Sequence, residues 1–250
     1  MSTIATAASQ PQGPALSEGA RIINTFVAPS KTFTDLNRNA SWFFPWLLLA
    51  VFTVLFAYTA GQKVGWQQMN DNQLRLQPKR AAQMEQMPPE QRARADAIGA
   101  KVTAGITYGW PIMRLIGLII VAGVLLFSFN FGVGAQLKFN TVLAVVMYAS
   151  LPEIFRSLLG ALFLWTGLVQ PDTFVMQNPI GSNLGALATP GSPWWALGSA
   201  VDVFGIWALA LTALGITCVS KVKKGPAFAV VFGWAALLAL VGAGWTALMS

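Results

Sequence analysis

Histidine is absent from this 250-residue chain, and cysteine occurs once, at Cys218. Without these side chains the sequence offers no Cys/His zinc site, no disulfide framework, no Ser-His-Asp triad and no histidine proton relay. Only nine acidic residues are present, and most of them lie in the expected loops. An oxygen-ligand metal site built from acidic residues stays open as an alternative, but we expect a protein that is not an enzyme and that has no catalytic residue, no metal site and no cofactor.

Charge is scarce as well. Charged residues make up 10% of the chain and hydrophobic residues 55%, whereas a soluble domain carries roughly 25% charge. Ten Trp residues against three Tyr are typical of aromatic rings at membrane interfaces. The composition predicts an integral membrane protein. Its net charge of +7 is explained by Lys and Arg placed beside membrane spans, so we expect a lipid bilayer as partner and no nucleic acid.

Apolar runs of about 20 residues, the length that crosses a bilayer, recur along the chain. The predicted spans are residues 42–60, 110–131, 140–168, 194–219 and 227–248. The predicted fold class is therefore all-α: a polytopic membrane helical bundle with five transmembrane helices, occupying residues 42–248. A polar first loop, residues 62–108, is expected to be partly helical and to break at its prolines.

The residues before the first span divide into two parts. Residues 1–17 are rich in Ala, Ser, Gln and Pro and are expected to form a disordered tail, without the basic-then-apolar pattern of a signal peptide. Residues 18–41 are expected to form short amphipathic helices in the membrane interface. The residues expected to face the membrane surface are Ile22, Ile23, Phe26 and Phe33. A loosely packed soluble linker is the alternative interpretation of this segment.

The third predicted span contains three residues that hydrocarbon disfavours. Pro152 removes a backbone donor and should kink the helix, while Glu153 and Arg156 lose their water. Because these two charged residues are three positions apart, they share a helix face and can pair. A span of this kind needs protein around it, so we expect the other apolar segments to wrap it.

Two further charged residues, Arg114 and Asp202, fall inside predicted spans. At ~1.5 Å per residue, their depths place them in the same half of the bilayer as Glu153 and Arg156, and two Arg with two acids sum to zero charge. We predict that these four residues form an intramembrane polar network. Two interpretations stay open: an ion, proton or substrate path, and a structural contact that fixes helix register. We favour the structural one.

The positions of Lys and Arg set the predicted orientation. The short loop between the last two spans carries Lys221, Lys223 and Lys224, whereas the preceding loop, residues 170–193, has no basic residue. By the positive-inside rule, the lysine-rich loop is cytoplasmic. With five spans, this places the amino terminus in the cytoplasm and the carboxyl terminus outside.

Several segments together carry a resemblance. They are RIINTFVAPSKTFTDL before the first span, YASLPEIFRSLL in the third, and VDVFGIWALALTALGI followed by a basic turn and VVFGWAALLAL. In their order and spacing, these segments resemble the Yip family of Ypt/Rab-interacting membrane proteins. The likeness extends over residues 21–244, and the polar loop around MPPEQRARADA is similar to that of bacterial members. The positions that match the family pattern are Tyr148, Pro152, Asp202, Phe204 and Trp207.

This resemblance implies five spans, a cytosolic amino terminus and, for a bacterial member, residence in the cytoplasmic membrane. Eukaryotic members work in vesicle trafficking with small GTPases and form hetero-oligomers with one another. None of the matching positions is implied to be catalytic. The long first loop departs from the compact eukaryotic form, so a GTPase partner is not carried over.

We therefore favour a non-enzymatic, membrane-organising adaptor of the trafficking type, which binds partner proteins or forms homo- or hetero-oligomers. The alternative is a small-solute or ion transporter, or a channel subunit, that uses the intramembrane polar network. The two hypotheses differ in structural requirements. A transporter needs a water-accessible cavity that reaches Asp202, whereas an adaptor depends on the surface around Ile22, Ile23 and Phe26.

Overall fold

The computed structural model describes residues 14–249, which contain helices and no β-strand. Within them, the one strand-like feature is an isolated antiparallel bridge between Asn183 and Asp202. The all-α fold class is therefore confirmed for this part of the chain. Most of the expected tail, residues 1–17, lies outside the described residues.

The α-helices of the described part are α1 (Glu18–Val27), α2 (Pro29–Asp35), α3 (Phe43–Lys63), α4 (Trp66–Arg75), α5 (Pro78–Glu85), α6 (Pro89–Phe127), α7 (Phe139–Ala149), α8 (Glu153–Thr166), α9 (Pro193–Ser199), α10 (Val203–Val219) and α11 (Lys224–Met249). A π-helical turn follows α6 (Ser128–Gly132), and a 3-10 helix precedes α9 (Leu184–Leu187).

Among the described residues, four helical segments are long and apolar enough to cross a membrane by length and composition. They are Phe43–Lys63, Pro89–Gly132, Phe139–Thr166 and Lys224–Leu248. They correspond to the first, second, third and fifth spans expected from the sequence, and they support an integral, multi-pass membrane protein.

The predicted fourth span, residues 194–219, is divided between α9 and α10 by three non-helical residues, 200–202. The 17 residues of α10 extend about 26 Å at ~1.5 Å per residue, somewhat less than the ~30 Å hydrocarbon core. A count of five spans therefore stays a prediction.

The polar first loop and the second span share one helix. Pro78 begins α5 and Pro89 begins α6, because the missing N–H of proline costs least in the first turn. The 39 residues of α6 run about 58 Å at ~1.5 Å per residue, roughly twice the hydrocarbon thickness. The amino-terminal half of α6 thus supplies the last helical part of the loop.

The predicted kink at Pro152 takes the form of a break between two helices. Residues 150–152 separate α7 from α8, and Pro152 directly precedes the first residue of α8. All residues of α7 from Val142 to Ala149 are buried. The helix α8 ends at Thr166 and is followed by Gly167, whose φ of 74° is the left-handed conformation that commonly closes helices.

Residues 14–48, 115–151 and 207–234 form one compact unit. Its core contains Phe33, Phe129, Tyr148 and Ile216, all fully buried. Gly215 on α10 lies so close to its neighbours that a Cβ there would come within 2.5 Å of Val145 Cγ1 and 3.0 Å of the Phe33 ring. Only a residue without a side chain allows this approach.

Residues 49–114, 152–206 and 235–249 form the second compact unit. Its apolar cluster consists of Phe56, Ala60, Val64, Met69, Leu164 and Phe174. The rings of Phe56 and Phe174 lie 6.3 Å apart. Beside this cluster, the ammonium of Lys63 lies 3.8 Å above the ring of Trp165, a cation–π contact. This packing holds α3, α4 and α8 around the site described next.

Candidate functional site

The second unit contains a cavity of ≈ 1030 Å³. Its walls come from α3, α4, α5, α6, α8 and the segments 174–179 and 199–200, all of which belong to this unit. We call it the arginine cavity, after the three arginines that line it: Arg80, Arg114 and Arg156. Its volume is at the upper end of the roughly 300–1,000 Å³ of small-molecule sites.

Two of these arginines approach the same carboxylate oxygen. Nη1 of Arg114 lies 3.7 Å from Oε2 of Glu153, and Nη1 of Arg156 lies 3.4 Å from it. Arg156 also donates from Nη2 to the carbonyl of Gln177 at 3.0 Å, whereas its Nε is buried without a hydrogen-bond partner among the described residues. Among the described residues that line the cavity, Glu153 is the one acid. The cavity is therefore strongly positive.

The wall of the cavity that α6 contributes is apolar. Ile98, Val102 and Ile106 line the cavity and recur every four residues, which places them on one helix face. Their side chains are more than half exposed, and Trp110 continues the same stripe by one turn. The arginine cavity thus combines a cationic end with an apolar wall.

The structure brings together three members of the predicted polar network and places the fourth elsewhere. Asp202 does not line the cavity; its Oδ1 accepts hydrogen bonds from the backbone N–H groups of Phe204 and Gly205 at 3.0 and 3.1 Å, and the Ser182 hydroxyl donates to its Oδ2. The break before α10 exposes donors that a carboxylate satisfies as a helix cap. The neutral four-residue network is thus replaced by a triad with a net charge of +1.

A second group of polar side chains, largely buried in the first unit, was not foreseen from the sequence. Arg21 and Asp35, with side chains 3% and 5% exposed, make a salt bridge of 2.8 Å. Glu18 lies 3.4 Å from Arg21 and accepts a hydrogen bond of 2.5 Å from the Tyr148 hydroxyl. We call Glu18, Arg21, Asp35 and Tyr148 the N-terminal polar cluster. It connects α1 with α2 and α7.

Electrostatics keep Arg21 charged. Burial alone lowers the pKa of its guanidinium, but hydrogen bonding to Asp35 and contact with Tyr148 raise it more, so the net pKa is raised. The backbone around it is also satisfied: the hydroxyls of Thr25 and Thr32 both donate to the Arg21 carbonyl at 2.8 Å. A buried charge with this many partners is a fixed element of the fold.

The residues predicted to face the membrane surface differ in how far they are exposed. On α1, Ile23 is 63% exposed, and Ile22 and Phe26 are half-buried. Phe33 corrects the prediction, because it is fully buried beside Gly215. The reason is that α2 directs its aromatic side chain into the core and leaves Lys31 exposed.

Sequence reasoning missed the Arg21–Asp35 pair because the break at Pro29 removes the helical spacing between them. One available signal was Tyr148, whose hydroxyl needs a partner within an otherwise apolar run. Arg80 was missed because it lies in the polar loop, where a charged residue is ordinary. Among the described residues, no cluster of three or more His, Cys, Asp or Glu is placed to hold a metal ion.

The five positions that the sequence resemblance predicts to follow the family pattern lie where helices begin or meet. Tyr148 bonds α7 to α1, and Pro152 precedes α8. Asp202 and the N–H of Phe204 form the cap of α10. Trp207 makes an edge contact with Phe26, with ring centroids 5.8 Å apart. Each of these positions has a structural role in the fold.

Comparison with known proteins assigns the family. No curated protein and no solved structure matches the chain. The Yip1 domain, in contrast, matches residues 23–246, a range that runs from α1 into α11 and includes the arginine cavity and two members of the N-terminal polar cluster, Asp35 and Tyr148. This integral, multi-pass membrane protein therefore belongs to the Yip1 domain family.

Proposed function

We propose that this protein is a non-enzymatic, membrane-organising adaptor of the trafficking type, which binds partner proteins or further copies of itself through α1. One observation carries the proposal: the outward face of α1 is apolar, with Ile23 63% and Val27 74% exposed. The two side chains are four residues apart and so lie on one helix face. An apolar stripe of this kind suits the membrane interface or the helix of a partner within it.

The manner in which α1 is held supports a binding role. Its opposite face carries Arg21 and Thr25, both buried, and the N-terminal polar cluster joins it to α2 and α7. The apolar face is therefore presented in one fixed position. A surface that is already ordered loses less conformational entropy when it binds a partner.

The test is affinity purification in a mild neutral detergent, with proteins that co-purify in stoichiometric amounts identified by mass spectrometry. The double variant Ile23→Asp/Val27→Asp should lose the partner, because two charges cannot enter an apolar contact without a large desolvation cost. Leu187→Asp is the matched control, since Leu187 is 86% exposed and lies on the 3-10 helix of the other unit. Equal capture of the partner by the unmodified protein, the double variant and Leu187→Asp would exclude the α1 face as the binding surface.

The membrane arrangement that accompanies this proposal has five spans, with α9 and α10 together forming the fourth. The protein would reside in the bacterial cytoplasmic membrane, its amino terminus in the cytoplasm and its carboxyl terminus outside. Exposed Lys221, Lys223 and Lys224 before and at the start of α11 support this orientation by the positive-inside rule.

A second candidate function, a solute or ion path, is favoured by the arginine cavity. Its volume and its charged triad are features of a ligand site, although Asp202 takes no part in it. Reconstitution into liposomes tests this candidate. If the protein is a transporter, solute or ion flux across the liposome membrane should exceed that of empty liposomes, and the Arg114→Gln variant should abolish this flux while it remains folded. If the protein is an adaptor, the flux should not exceed that of empty liposomes.

A further inference from the structure

We propose that the arginine cavity binds an amphiphile: a molecule with an anionic headgroup, phosphate or carboxylate, and an apolar chain. The first argument is charge. Arg80, Arg114 and Arg156 line the cavity, and Glu153 alone opposes them, which leaves two positive charges uncompensated. Arg80 has no ion pair among the described residues. Positive charges set in a cavity wall of low dielectric constant attract an anion more strongly than the same charges do in water.

The second argument is unused hydrogen-bonding capacity. A guanidinium has five N–H donors, and strong charge-assisted bonds measure about 2.7–2.9 Å. Arg114 approaches Glu153 only to 3.7 Å and Arg156 only to 3.4 Å, and the buried Nε of Arg156 has no partner among the described residues. Phosphate or carboxylate oxygens are the acceptors that suit such donors, because guanidinium binds both in a bidentate manner.

The third argument is the apolar wall. Ile98, Val102 and Ile106 form a continuous stripe along α6, and Phe56 lines the cavity from α3. A free inorganic anion would make no use of this wall. A hydrocarbon chain would cover it and gain roughly 25 cal/mol for each Å² removed from water. Charge at one end and apolar surface along one side together select an amphiphile.

This inference is independent of the partner-binding proposal, and it assigns a ligand class that the transport alternative leaves open. The same chemistry has two sources: an anionic phospholipid of the surrounding bilayer, and a free fatty acid. The amide side chains that also line the cavity, among them Asn70, Gln73 and Gln77, accommodate polar groups of either headgroup.

The experiment is native mass spectrometry of the full-length, delipidated protein in a neutral maltoside detergent. It is titrated with phosphatidylglycerol, with phosphatidylcholine of the same chains, with oleic acid and with inorganic phosphate. We expect saturable binding of phosphatidylglycerol, oleic acid or both, with phosphatidylcholine much weaker. The anion that binds more tightly, phosphatidylglycerol or oleic acid, identifies the ligand as a phospholipid of the bilayer or as a free fatty acid. Equal binding of phosphatidylcholine would overturn the anionic headgroup, and inorganic phosphate binding as tightly as the amphiphile would overturn the apolar chain.

Charge-neutral variants locate the site. Arg80→Gln and Arg114→Gln should each weaken binding roughly 10- to 100-fold, the factor expected for a charge-assisted hydrogen bond. Lys79→Gln on α5 and Lys101→Gln on α6 are matched controls, because these lysines are exposed and do not line the cavity. Arg80 is exposed, so its variant tests the site without a risk to folding. A loss of affinity that is equal in variants and controls would contradict the inference.

Discussion

The guanidinium of Arg21 contacts one oxygen of Asp35 with two nitrogens, Nε at 2.9 Å and Nη2 at 2.8 Å. Both side chains are almost completely buried. The helix α1 therefore contacts the rest of its unit through this buried charged pair as well as through the ring of Phe26, and it presents Ile23 and Val27 outward. This inverts the usual arrangement of a soluble amphipathic helix and suits a helix whose outer surroundings include lipid.

Asp35→Asn should destabilise the protein by about 3–5 kcal/mol, because it leaves the buried Arg21 charge without its partner. The raised pKa of Arg21 fixes the sign of the pH dependence: its stabilising contribution is fully present below the pKa of an ordinary arginine and is lost only as pH rises through the still higher pKa of the folded state. Its protonation should therefore add no pH dependence between about pH 5 and 9. Thermal unfolding in detergent measures the loss. The exposed Lys31→Gln on the same helix is the control, and equal melting of the two variants would contradict the prediction.

Tyr148→Phe should remove the hydrogen bond to Glu18 without changing the packing of the ring. A bond to a charged group contributes about 1.5–3 kcal/mol. A double-mutant cycle with Glu18→Gln isolates it: the two substitutions should be clearly non-additive in unfolding free energy. Additive effects would mean that Tyr148 and Glu18 do not interact in the folded protein.

Gly215→Ala should destabilise the first unit by about 1–3 kcal/mol, the usual cost of overpacking a core. The new methyl would come within 2.5 Å of Val145 Cγ1 and 3.0 Å of Phe33, both buried and unable to move aside easily. Gly233→Ala is the matched control, since no atom of the described residues, apart from its own stretch of helix, lies within 4 Å of its Cβ position; there, alanine should be neutral or stabilising because it favours the helix. Thermal unfolding of both variants measures the difference, and a neutral Gly215→Ala would show that α10 and α7 can separate at no cost.

The elements that the sequence predicts well are those fixed by local chemistry. The span Phe43–Lys63 is set by its uninterrupted apolar run, and the starts of α5 and α6 by Pro78 and Pro89. The break before Glu153 likewise follows from Pro152. These features depend only on hydrocarbon length and on the missing proline N–H.

The elements that the sequence does not predict depend on long-range packing. No local sequence pattern indicates that Asp202 caps a helix, because the residues of α9 and α10 form one apolar run in the sequence. Arg80 joins the arginine cavity only because the tertiary fold brings residues of α5 and α6 to the same cavity. Apolar periodicity also assigned Phe33 to the surface, since periodicity alone does not tell a face in contact with lipid from a face in contact with protein.

The proposed topology predicts the sides on which single cysteines react. In a Cys218→Ser background, Asp172→Cys should be labelled by a membrane-impermeant maleimide in intact spheroplasts, and Lys223→Cys only after lysis. Both positions are exposed, so accessibility is set by the membrane and not by burial. The opposite labelling pattern would show that the orientation is the reverse of the proposed one. Labelling of both positions in intact spheroplasts would place both outside and would show that the predicted fourth span does not cross the membrane.

The two acids of the predicted network should now behave differently. Asp202→Ala removes a helix cap and should cost about 0.5–2 kcal/mol of stability, with no change in the affinity for an anionic amphiphile, because Asp202 is outside the arginine cavity. Glu153→Gln removes the one acid of the lining and should increase that affinity, since it frees Arg114 and Arg156 from their shared carboxylate. Thermal unfolding and the native mass-spectrometric titration separate the two effects. If Asp202→Ala altered affinity as much as Glu153→Gln did, Asp202 would be coupled to the arginines, and the division of the network between a cap and a cavity would be wrong.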